Sequence, residues 1–188
     1  MFKITVLYGA IREGRQSIRA ARAVDKALRE TGKAEVTFID IKDYNLPLME
    51  NRLKDMKDPI PDVVKVGEMI ANADGIVFVT PEYNNSYSGA MKNTVDYYTK
   101  EWSKKPIGII CASDGWQAGT NASNLLQLLI LAINAFPMPT KLLVPYIDKS
   151  FDEEGNALDE AMARRLNRFV KEFLWFVEAI STQKQKEQ

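Results

Sequence analysis

The chain has 188 residues, 25 basic and 25 acidic side chains, no histidine and one cysteine, and 46% of it is hydrophobic. The length suits one domain with a core of its own, and balanced charge removes any general attraction to nucleic acid or anionic membrane. The missing histidine excludes Ser-His-Asp and Cys-His catalysis and His-ligated metals, and a lone Cys111 excludes internal disulfides, thiolate metal sites and Cys-x-x-Cys redox pairs.

In chain order, Lys3–Tyr8 reads as a short buried strand ending at Gly9. Ser17–Thr31 has Ile18, Ala21, Val24 and Leu28 at helical spacing, and Gly32 stops it. Glu35–Ile41 is a second strand. Residues 42–60 form a long proline-bearing connection, and Asp62–Asn72 a short helix. Gly75–Thr80 is a third strand, Pro81–Ser88 a polar loop and Gly89–Thr99 a helix. Pro106–Ala112 is a fourth strand, followed by a Gly-containing loop and a helix over Ala122–Ala135. Lys141–Tyr146 is a fifth strand. From Leu158 to Ile180 an amphipathic helix closes the domain, residues 1–180, and 181–188 form a polar frayed tail. The Lys104–Lys105 pair reads as a solvated surface feature.

No apolar run approaches the roughly 20 residues that span a bilayer, and no segment resembles a secretory signal, so a soluble cytoplasmic protein is expected. Apolar strands alternating with helices predict a parallel sheet covered on both faces. Ligands of such sheets bind outside the carboxyl ends of the strands, where strand order reverses. The loops after the first, third and fourth strands are therefore the candidates.

The first of these, Gly9–Ser17, reads GAIREGRQS and opens a helix, where unpaired N–H groups suit a phosphate. Arg12 and Arg15 add charge, and Gln16 and Ser17 add donors. It lacks the three glycines of the dinucleotide fingerprint. It has the G-x-x-x-x-G spacing of the nucleotide P-loop without the following Lys-Ser/Thr, which argues against a nucleotide hydrolase. A solvated basic turn is the competing reading.

The second loop, Pro81–Asp96, reads PEYNNSYSGAMKNTVD. Its backbone donors could meet the edge of a flat heteroaromatic ring, although Asn84, Asn85 and Ser86 could equally be turn formers. PEYNNSYSGAMKNTVDY resembles the PEYN-x-S-x-PG-x-LKN-x-ID signature of the NADPH-dependent FMN reductase family, which includes NAD(P)H:quinone and azo-dye reductases. The first loop resembles the family's GS-x-R-x-x-S loop, and Ser113–Asn124 its Gly-rich loop after the fourth strand. Ala10 and Ser88 depart from these patterns, as does Trp116-Gln117-Ala118, and Trp116 is either a flavin-side aromatic or a surface one.

The resemblance implies a flavodoxin-like three-layer α/β sandwich with five parallel strands in order 2-1-3-4-5. It implies FMN as cofactor and NAD(P)H as co-substrate, with a quinone, flavin or azo compound as acceptor. It assigns Arg12 and Ser17 to the FMN phosphate with Gln16 beside them. It places the ring against Pro81, Glu82, Tyr83 and Asn84, chiefly through backbone groups, with Ser113, Asp114 and Gly115 on the other side. Hydride would pass from nicotinamide to flavin and on to the acceptor, so no side chain is assigned as a general acid or base. Glu82 is expected to turn outward, and Cys111 to be structural. The family is typically dimeric or tetrameric, and Leu125–Ile133, apolar nearly all round, is expected to contribute to the interface with the helix after the third strand; a helix fully enclosed within one chain is the competing reading. An acidic electron-carrier flavodoxin and a redox-silent phosphate-binding module are the other classes, the first disfavoured by the neutral charge.

Overall fold

Val, Ile and Phe dominate the strand segments, whose β-branched and aromatic side chains pack on a pleated surface. In the computed structural model, which describes residues 1–186, they form one sheet. The elements are β1 (Phe2–Tyr8), α1 (Ile18–Glu30), β2 (Ala34–Asp40), α2 (Pro61–Ala71), β3 (Gly75–Tyr83), β4 (Ser86–Tyr87) and α3 (Gly89–Asp96). They continue with β5 (Pro106–Ala112), α4 (Thr120–Ala132), β6 (Phe136–Val144), α5 (Ile147–Ser150) and α6 (Glu160–Lys186). Five strands are parallel in the order β2-β1-β3-β5-β6, and β4 pairs antiparallel with β3 alone. This is the expected flavodoxin-like order with one unanticipated hairpin strand.

Side chains alternate between two cores, as the period of a strand demands. Ile4, Val6, Tyr8, Val77, Val79 and Ile110 face α1 and α6, meeting Val24, Leu28, Phe169 and Phe173. Leu7, Ile76, Phe78, Ile109 and Cys111 face α2, α3 and α4, meeting Val66, Ile70, Val95 and Leu126. Trp102 seals the second core, standing edge-on to Phe78 with ring centroids 5.6 Å apart and donating its indole N–H to the Val95 carbonyl. Burial on both faces is why these strands read as continuous apolar runs.

Three differences from the sequence reading have physical causes. β6 begins at Phe136, not Lys141, because Pro137 and Pro139 are tolerated on an edge strand. Residues 181–186, read as part of a tail, continue α6, four of the six being helix-forming Gln or Lys; the rest of that tail, residues 187–188, lies outside the described residues. Lys105, read as solvated, is buried: its ammonium donates to the carbonyls of Ala71 (2.9 Å) and Ala73 at the end of α2. Among the described residues, no helix is long and apolar enough to cross a membrane.

Strand order reverses between β1 and β3, where the chain leaves β1 for one edge and β3 for the other. Their carboxyl ends, with that of β5, therefore diverge around a crevice.

Candidate flavin site

The loop after β1 wraps the start of α1. Among the described residues, no backbone N–H from Ile11 to Ser17 donates within the chain. That run of free donors faces the positive end of a 13-residue helix, the physical recipe for an anion site. Gly14, at φ +64°, makes the turn that a side chain would strain. Arg15 does not contribute free charge. Its guanidinium forks onto Asp40 at the end of β2, donates to the Ala10 carbonyl, and lies 5.0 Å above the Tyr8 ring. Arg12 is the cation left available, exposed and 5.5 Å above the Tyr83 ring. Counted from Gly9, the last serine of GS-x-R-x-x-S falls on Arg15; Ser17 is buried and its hydroxyl shares a hydrogen bond with Tyr8 at 2.9 Å. Gln16 is exposed, its amide donating to the Gly14 carbonyl.

The polar loop after β3 is a hairpin. β3 runs on through Pro81, Glu82 and Tyr83, and Asn84 and Asn85 turn it back into β4. Both asparagines have positive φ, +49° and +62°, as a two-residue type I′ turn requires. Two contacts dock the hairpin on α4. Asn121 donates to the Asn85 side chain (3.1 Å), and the Glu82 carboxylate accepts from the Ala122 N–H (3.0 Å), where helix dipole and charge agree. Glu82 thus turns away from the crevice to hold α4, leaving its backbone at the rim.

The loop after β5 is fixed from both ends. Ser113 donates its N–H to Val144, accepts on its carbonyl from Ile147, and its hydroxyl bonds within the turn to Gly115. At Gly119, φ +79°, a Cβ would lie 2.5 Å from that of Cys111, so only glycine lets α4 start so close to β5. Cys111 is fully buried, and burial pushes its thiol far above the ordinary range, so it has no nucleophilic role.

The three loops enclose one cleft of about 220 Å³. Of the residues read from sequence, Arg12, Gln16, Ser17, Pro81, Glu82, Tyr83, Ser113 and Asp114 line it together. Asn84 stands at the hairpin turn and Gly115 in the turn behind Ser113, outside the lining. Ile147, which also lines the cleft, was not anticipated; it follows Tyr146, whose φ of +41° bends the chain inward after β6. No local signal marks it beyond its place after the last strand. The donor set fits FMN: free N–H groups and a guanidinium suit a phosphate, and walls from β3 and β5 suit a flat ring between them. A larger apolar cavity of about 510 Å³ near Ile11, Tyr44 and Ala90 shares none of these residues.

A sequence profile of the NADPH-dependent FMN reductase family matches residues 2–149. The chain belongs to that family. It is 32% identical over 157 residues to the NAD(P)H-dependent FMN reductase of Nectria sp., covering 78% of this chain and 76% of that one. It is 28% identical over 186 residues to an NADPH:quinone oxidoreductase of Arabidopsis thaliana, covering 90% and 89%. Among solved structures it is similar to FerB, the flavoenzyme NAD(P)H:(acceptor) oxidoreductase of Paracoccus denitrificans. That match has a TM-score of 0.81 and 26% identity, over 95% of this chain and 98% of that one. Membership of the FMN reductase family gives the match between donor set and flavin phosphate its chemical meaning.

Proposed function

We propose that the protein is an FMN-dependent oxidoreductase that passes hydride from NAD(P)H to a small acceptor such as a quinone, free flavin or azo compound. The observation that carries this reading is the cleft at the strand-order reversal, in which free N–H groups and Arg12 adjoin walls from β3 and β5. FMN, when bound, supplies the two-electron chemistry. The chain's own residues bind and orient. Arg12 and the N–H groups of the α1 start, Gln16 and Ser17 included, hold the phosphate. The backbone of Pro81, Glu82, Tyr83 and Asn84 forms one wall, and Ser113, Asp114 and Gly115 the other. Arg15, tied to Asp40, stiffens the phosphate loop from beneath. Preorganised donors of this kind stabilise negative charge at no cost in reorganisation.

The same reading makes residues 1–180 one cytoplasmic domain that assembles into a homodimer or homotetramer through the outer face of α4. There Leu125, Leu128 and Leu131 are exposed while Leu126 and Ile130 face the core. The purified protein titrated with FMN, then with NADPH under anaerobic conditions, tests the function. Bound-flavin absorption bands that bleach on NADPH addition are the expected result. A protein that leaves FMN in free solution, or holds it without bleaching, rules the reading out.

A further inference from the structure

The far side of the phosphate loop carries more positive charge than one phosphate needs. A groove of about 260 Å³ adjoins the cleft, sharing Arg12, Gly14, Arg15 and Gln16 with it, and continues to Arg19, Arg22, Lys42 and Glu153. Of its five cations, Arg15 is neutralised by Asp40, and Glu153, itself 79% exposed, stands 3.6 Å from Arg19. The others face no carboxylate at ion-pair distance among the described residues. Arg19 donates to the Phe151 carbonyl at 3.1 Å and Arg22 to the Glu153 carbonyl at 2.6 Å. Those carbonyls fix the guanidinium groups in place and do not cancel their charge. Lys42, exposed at the end of β2, has no hydrogen bond or ion pair from its ammonium among the described residues.

Gathering like charges along one groove costs energy unless an anion offsets them. The phosphate of FMN carries about −1.5 to −2 charge, and Arg12 with the loop N–H groups already answers it. Guanidinium forks oriented by carbonyls, with nitrogens still free, are phosphate receptors by geometry as well as charge.

We infer that this groove receives a second phosphoryl group, carried by a dinucleotide whose flavin or nicotinamide end lies at the cleft. This rests on the flavin reading of the cleft. The group could belong to the adenylate half of FAD or to the 2′-phosphate of NADPH, and both present the same chemistry to Arg19, Arg22 and Lys42.

The test uses Lys42→Gln, which breaks no contact in the fold, and the double variant Lys42→Gln/Arg22→Gln. Flavin-free protein is titrated with FMN and with FAD by fluorescence quenching, and FMN-loaded protein with 2′,5′-ADP and 5′-AMP by calorimetry. FMN affinity should stay within about twofold of wild type in both variants. The group that occupies the groove should bind about tenfold more weakly to the double variant, with a smaller loss in Lys42→Gln. A loss in the FAD arm alone assigns the adenylate of FAD; a loss in the 2′,5′-ADP arm alone assigns the NADPH 2′-phosphate. Equal binding of FAD and of 2′,5′-ADP by wild type and both variants overturns the inference. Failure of wild type to bind FMN would instead overturn the cleft assignment, and 2′,5′-ADP binding to the flavin-free protein would still decide the groove.

Discussion

The Ser88 hydroxyl donates to the Gly9 carbonyl, tying the hairpin after β3 to the phosphate loop after β1 across the strand-order reversal. The same oxygen accepts from the Met91 N–H at 3.0 Å and so caps α3, while the Ser88 N–H donates to the Thr80 hydroxyl at 3.2 Å. Where the family signature has proline, this chain has a buried junction between three elements. Ser88→Ala should lower stability by about 1–2 kcal/mol, the usual worth of an N-cap side chain. Ser88→Pro should do no better, because it also removes the N–H. Urea unfolding midpoints check both, and a Ser88→Pro protein as stable as wild type would show that the junction adds nothing.

Arg12 and Arg15 sit three residues apart and should behave oppositely. Arg12 is exposed and touches only the Tyr83 ring, so Arg12→Ala should leave the unfolding midpoint unchanged. It should weaken FMN binding by about 1.5–3 kcal/mol, the range for a hydrogen bond to a charged group. Arg15→Ala strands the buried Asp40 carboxylate and should chiefly destabilise the fold. Flavin titration and thermal unfolding of the two variants separate the effects. Unchanged FMN affinity in Arg12→Ala would remove that residue from the phosphate site.

The outer stripe of α4 gives the proposed oligomer a direct test. Leu128 is 63% exposed and Leu131 58%, on a helix whose other face is fully buried. Apolar stripes of this kind on a soluble protein mark contact surfaces. Leu128→Glu should therefore shift the protein to monomers in light scattering, with little change in unfolding. An unaltered assembly in this variant would place the interface elsewhere.

What the sequence made legible was set by burial. Strands covered on both faces are continuous apolar runs, so Pro106–Ala112 could be read without ambiguity, every residue of β5 being buried. β6, an edge strand with two prolines, could not. The site's backbone-lined loops were legible through their resemblance to a known signature, because backbone recognition needs a particular chain path and few particular side chains. The side-chain partners were not. Nothing near Arg15 announces Asp40, 25 residues on, and nothing near Glu82 announces the Ala122 N–H. Those pairings exist only once β2 lies beside β1 and α4 beside the hairpin. Asn84 and Asn85 were legible as possible turn formers but not as a hairpin turn leading into β4, because I′ turns are usually signalled by Asn-Gly.

Tyr8 links the site to alkaline stability. Its ring is fully buried at the end of β1 and its hydroxyl meets Ser17. Burial pushes its pKa from 10.0 up to about 12, against the smaller opposing pull of Ser17 and Arg15. The unfolded chain ionises this phenol near pH 10 while the folded chain keeps the proton, so stability falls as pH rises from 10 toward 12. The loss from this group should reach about 2–3 kcal/mol at the upper end. Tyr98, buried and bonded to the Val63 carbonyl, acts in the same direction. Lys105 acts oppositely: burial lowers its pKa from 10.5 to about 8, so the folded chain releases that proton first and stability gains between those limits. Tyr8→Phe alters only the first of these contributions. Its loss of the Ser17 hydrogen bond offsets stability about equally below pH 9, where no phenol is ionised, whereas the descent above pH 10 should be shallower than in wild type. Urea midpoints measured from pH 8 to 11.5 report the difference in slope, and parallel curves for the two proteins would show that Tyr8 does not hold its proton in the fold.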